Sequence, residues 1–182
     1  MTTLQDYNVV ISVREHRFQR SVRLLEAFGE LKRTDFFNVL LLKVESIESF
    51  LPQLQARIES ESSLQDCLGH VMPVFATFVF QSVEEFEFKA KQAVTPWLPV
   101  LSGKTFHVRM HRRGFKGRLS SHDEERFLDR YLMEQLTGKG ASGQIGFKDP
   151  DVIIAVETVA QWAGLSHWGR QDLQRYTLLT LD

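Results

Sequence analysis

The strongest constraint on the fold of this chain is the order in which its hydrophobic period switches between two and 3.6 residues from Tyr7 to Phe80. Tyr7 to Val13 is rich in β-branched residues (Val9, Val10, Ile11, Val13) and has the length of a buried strand. Phe18, Val22, Leu25 and Phe28 then fall at helical spacing, Arg17, Arg20 and Arg23 project from another side, and Gly29 supplies a stop. Leu31 to Phe36 and Asn38 to Glu45 read as two consecutive strands. Ser46, with Glu48 and Ser49, opens a second helix through Phe50, Leu54 and Ile58. Val71 to Phe80, heavy in Val, Phe and Thr, closes the series as a strand.

That order, β-α-β-β-α-β, is the ferredoxin-like arrangement. Beyond Gln81 the pattern changes. Val83 to Leu101 is helical but interrupted by Pro96 and Pro99, which predicts two short helices. Thr105 to Met110 alternates as a strand. Ser120 or Ser121 caps a long helix with Glu124 and Glu125 near its positive end, an apolar stripe from Phe127 to Leu136, and an end at Gly138. Gln144 to Phe147 and Val152 to Val159 are predicted strands around an Asp149-Pro150-Asp151 turn. Trp162 to Trp168 adds another, and Tyr176 to Leu181 a final strand or a packed tail. The fold class expected is α+β, with a boundary near Gln81 separating domains 1–81 and 82–182.

Hydrophobic content of 43%, including 14 Phe, is enough for a real core and excludes global disorder. No apolar run is long enough to span a bilayer and Met1 to Asp6 lacks a leader's features, so the expectation is a cytoplasmic protein with no membrane partner. Cys67 stands alone, which rules out an internal disulfide and a thiolate zinc cluster. The formal charge of −1 hides an uneven distribution. From Ser102 to His122 there are six Lys or Arg (Lys104, Arg109, Arg112, Arg113, Lys116, Arg118), with His107, His111 and His122 among them and no Asp or Glu. A segment this one-sided reads either as a solvated basic loop or as a polyanion contact.

Several motifs invite chemistry and fail on context. Ser102-Gly103-Lys104-Thr105 ends like a phosphate-binding loop, but Leu98 stands where the earlier glycine is required, and a strand follows where a helix is needed. Gly138, Gly140 and Gly143 satisfy a dinucleotide-binding spacing, yet they follow a helix and enter a strand. Arginines among His107, His111 and His122 disfavour a dication, and no nucleophile elbow is present. No cofactor, metal or catalytic centre is therefore expected.

The second half resembles a THUMP domain, an RNA-binding module. The resemblance lies in Phe106-His107-Val108-Arg109-Met110-His111-Arg112-Arg113, then a helix, then Gly146-Phe147-Lys148-Asp149-Pro150-Asp151-Val152-Ile153-Ile154-Ala155-Val156-Glu157. Ala163 to Ser166 and Gln174 to Leu179 are similar to the carboxyl end of the stand-alone THUMP adaptors of tRNA cytidine acetylation. Thr34 to Leu40 resembles a segment of their ferredoxin-like region. The resemblance implies an N-terminal ferredoxin-like domain followed by an α/β THUMP domain with a central mixed sheet. It also implies an adaptor, not an enzyme, that holds the acceptor stem and 3′ end of tRNA for a separate tRNA-modifying enzyme, with a cytidine acetyltransferase as the candidate.

Guanidinium forks suit phosphate oxygens, so Arg109, Arg112 and Arg113 are the first expected contacts, with Lys104, Lys116 and Arg118 extending the path. Phe115 either offers a base-stacking face or tucks into the core. Arg17 and Arg20, with Arg23, form a second phosphate contact or a solvated face. Trp162 and Trp168 are expected to pack. The alternatives are a protein-interaction module without RNA, and a small RNA- or nucleotide-processing enzyme using His111 or His122 as acid or base.

Overall fold

The computed structural model describes residues 1–179 and divides into two units, one from Met1 to Val74 and one from Phe75 to Leu173, with the segment beginning at Gln174 grouped with the first. The first unit carries β1 (Val9–Val13), α1 (Phe18–Leu25), β2 (Glu30–Arg33), β3 (Val39–Lys43), α2 (Ile47–Ser60) and β4 (Leu68–Pro73). Its strands lie in the order β2-β3-β1-β4, every pairing antiparallel, which is the ferredoxin-like topology. Central strands β1 and β3 are buried almost throughout, and the helices bury Val22 and Leu25, and Phe50, Leu54 and Ile58. Burying a side chain such as Phe50 contributes about 1.5–3 kcal/mol. Ser46 caps α2 by accepting from Ser49 N–H at 3.2 Å.

Gly29 does more than stop a helix: α1 already ends at Leu25, and a Cβ at Gly29 would lie 1.9 Å from the Lys43 carbonyl oxygen. Only a residue without a side chain lets the start of β2 approach the end of β3 so closely.

The second unit carries β5 (Ala76–Val79), α3 (Val83–Val94), a 3-10 turn (Thr95–Trp97), α4 (Leu98–Leu101), β6 (Thr105–His111), α5 (Ser121–Gly138), β7 (Gln144–Ile145), β8 (Val152–Val159), β9 (Trp162–Gly169) and α6 (Arg170–Arg175). The sheet order is β5-β9-β8-β6-β7; β6 runs parallel to β7 and β8, and β9 antiparallel to β8 and β5. Phe106, Val108 and Met110 of β6 join Ile154 and Val156 of β8 in a core closed by Leu128, Leu132 and Leu136 of α5 and by Phe86, Ala90 and Val94 of α3. The fold is thus α+β, a ferredoxin-like domain followed by an α/β domain with a central mixed sheet, the class that the THUMP resemblance implies.

Three expectations shift. The single strand expected over Val71 to Phe80 is two strands in different sheets. Pro73 has no N–H to continue the ladder; Val74 N–H then donates to Asn8 O (2.8 Å) and Phe75 N–H to Leu165 O (2.8 Å). The division accordingly falls between Val74 and Phe75, ahead of the expected boundary at 81, and it is discontinuous, because Leu178 O accepts from Val71 N–H at 2.9 Å. The expected strand Gln144 to Phe147 shrinks to β7, two residues. Of the final segment, Tyr176 to Leu179 form a turn with Tyr176 and Leu179 buried, and Thr180 and Leu181 lie outside the described residues. No helix among the described residues is long and apolar enough to cross a membrane.

Candidate nucleic-acid interface

The basic segment is built around β6, whose core-facing residues alternate with His107, Arg109 and His111. β7 covers only the first part of its free edge, leaving the N–H groups of Val108 and Met110 without a strand partner. Helix α5 supplies one: Asp129 Oδ1 accepts from Val108 N–H at 2.9 Å and Glu125 Oε1 from Met110 N–H at 2.8 Å. The two acids are four residues apart, one above the other on a helix face, so they match alternate N–H groups of the strand. The other oxygen of Asp129 lies 2.8 Å from His107 Nδ1, and both side chains are buried. This removes His107 from solvent and fixes its ring.

Past the strand, the chain is pinned to β8. Arg113 N–H donates to Thr158 O and Oγ1, both at 3.1 Å, and its guanidinium Nη1 pairs with Glu157 Oε2 at 2.5 Å. The Glu157 side chain is 1% exposed and that of Arg113 17%. Glu157 Oε1 also lies 3.2 Å from His111 Nδ1. Left-handed backbone at Gly114, Phe115 and Gly117 then curls the loop, and Arg112 Nη1 donates to the Gly114 carbonyl inside it.

The six cations of the segment therefore part company. Arg113, expected to contact phosphate, is committed to Glu157, because the parallel register β6–β8 sets His111 opposite that acid. Phe115 offers no open face: its ring stacks 4.9 Å from Phe80 and Arg118 Cζ covers it at 4.3 Å. Lys104 lies at the opposite end of β6 from Arg112, about 26 Å along the strand, so it does not belong to the same cluster. Arg109, Lys116 and Arg118 are exposed and make no ion pair among the described residues. In the first unit Arg17 and Arg23 are exposed, while Arg20 is tied to Glu61 (2.9 Å) and Ser63 (2.7 Å). Trp162 and Trp168 pack, and His122 is exposed on the first turn of α5.

Sequence reasoning placed Glu124 and Glu125 near the positive end of α5, and the acids of its first turn are Asp123 and Glu124. Glu124 is buried, its Oε2 has no hydrogen-bond partner, and burial, with Glu87 and Asp123 nearby, pushes its carboxyl up to about 7. Asp151 is held below the usual range by hydrogen bonds from the N–H and hydroxyl of Thr105. Phe147 was read as the end of a strand and not as a site residue. Its signal was a bulky apolar residue in a Gly- and Asp-rich turn, and it proves 70% exposed.

No protein-family model matches the sequence, and no curated protein matches it. Solved structures do share the fold. PH1313 from Pyrococcus horikoshii Ot3 superposes with a TM-score of 0.58 at 12% identity, over 90% of this chain and 55% of its own. TrmN from Thermus thermophilus gives 0.55 at 14%, over 87% and 44%. A 4-thiouridine synthetase, solved as an RNA complex with bound ATP, gives 0.56 at 12%, over 90% and 42%. The chain spans about half or less of the length of each, and identities this low carry the fold alone.

Proposed function

We propose that this chain binds tRNA through the β6 side of its second domain, gripping the acceptor stem and 3′ end, and serves as an adaptor for a separate tRNA-modifying enzyme. The observation that carries the reading is the set of exposed cations, Arg109, Lys116 and Arg118, which make no ion pair among the described residues. Ion pairing inside the protein would cancel their value to a phosphate; Arg113 illustrates the cancelled case. Arg112 keeps further N–H groups beyond the one given to Gly114, and a guanidinium has five. The likeness in fold to a synthetase solved with RNA supports the same reading. The acceptor end, the adaptor role and the cytidine acetyltransferase candidate rest on the sequence resemblance.

The test is a titration with tRNA over a salt series. Each of Arg109→Ala, Lys116→Ala and Arg118→Ala is expected to lower the salt slope by roughly one phosphate contact and to leave folding intact. Removing the unpaired 3′ end of the tRNA is expected to weaken binding more than altering the anticodon loop. Unchanged slopes in all three variants would remove this face from RNA binding.

A further inference from the structure

We infer that Phe147 is a stacking platform for an unpaired base of the bound RNA; the inference rests on the RNA-binding reading above. An isolated exposed phenyl ring is unremarkable on a protein surface, but this one is held still. Gly146 N–H donates to Phe106 O at 3.0 Å before it, and Arg170 Nε donates to Asp149 Oδ1 at 2.9 Å after it, fixing a residue whose φ is 47°. Asp151 then closes the loop onto Thr105. The ring itself rests against His107, with centroids 4.8 Å apart and planes at 72°, and that imidazole is locked by Asp129. A ligand meeting Phe147 has little side-chain freedom left to freeze, which favours binding.

The electrostatics select the occupant. Asp149 and Asp151 are both paired with Arg170, and Asp129 is committed to His107 and Val108. Lys148, next in the chain, and Arg109, about 6.6 Å beyond His107 on the same side of β6, are exposed and without ion pairs among the described residues. An aromatic face between uncompensated cations fits a nucleobase flanked by its phosphates. Phe88, an exposed ring on α3, follows Glu84, Glu85 and Glu87 and lacks that setting.

The experiment measures affinity of the full chain, as wild type, Phe147→Ala and Phe147→Trp, for tRNA and for a blunt RNA duplex of similar length. Phe147→Ala is expected to weaken tRNA binding at least fivefold with the salt slope and the duplex affinity unchanged, since no phosphate contact is lost. Phe147→Trp is expected to restore tRNA affinity. An alanine variant that binds tRNA like wild type overturns the platform and points to a protein-facing surface, as does equal loss for tRNA and duplex. Wild-type protein with no affinity for tRNA would instead fell the RNA reading itself, and this inference with it. Because Phe147 is exposed, both variants should melt with the wild type, which separates a binding effect from a folding one.

Discussion

The two domains bury different things. Among the described residues, the first takes only Ser21 and His70 as polar groups into its interior, whereas the second buries His107, Glu124, Asp129, Glu157, Thr158 and Ser166. The contrast follows from topology. An antiparallel sheet in ferredoxin-like order pairs its central strands with one another, and the edge strand β4 finds a backbone acceptor in Leu178 O, so no carboxylate is needed. The mixed sheet has a strand, β6, whose partner β7 stops after two residues, and side-chain carboxylates take over. Buried ionisable groups are costly unless paired, so the second domain is the one whose stability should respond to removal of single polar atoms and to pH.

The sharpest way to break that contrast is Glu157→Ala, which strands Arg113 against β8. Denaturant unfolding should show a loss of about 4 kcal/mol, because an uncompensated buried charge is worse than none. Next is Glu124→Gln. A folded pKa near 7 against the ordinary 4.5 means that the folded state holds the proton more tightly. Its contribution is full below about 4.5 and is lost as pH rises through 7. The amide should therefore gain up to about 3 kcal/mol over wild type at pH 8 and nothing at pH 4, readable from melting at the two values. Asp129→Ala should cost about 2 kcal/mol by leaving Val108 N–H and His107 without their acceptor, with faster amide exchange at Val108 as the local sign. Smallest is Arg20→Ala in the first domain. Its half-exposed pair with Glu61 should be worth under about 1 kcal/mol. A large loss there would erase the distinction between the domains.

The first domain was the more legible in the sequence because its information is local. Val9 to Val13, the Phe50-Leu54-Ile58 stripe and the Ser46 cap each report an element directly, and the order of elements then leaves few topologies. The expected Pro-broken helices after Val83 were equally readable, since Pro96 and Pro99 act through their own backbone. The Val71 to Phe80 strand was misread because its apolar run is continuous, and nothing in its period says that two sheets share it.

The candidate interface was legible as a composition and not as a surface. A run from Lys104 to Arg118 without an acid is a property of the chain. Whether each side chain meets water, a carboxylate or the core depends on residues thirty-five or more positions away. Glu157 reaches Arg113 only through the parallel register of β6 and β8, and Phe80 claims Phe115 only when the core closes. The sequence by itself determined the elements, their order and the location of the positive segment, because period, caps and charge are short-range properties. Tertiary structure alone decided which of those charges stay free, because neutralisation and burial are set by contacts between segments that the chain brings together late.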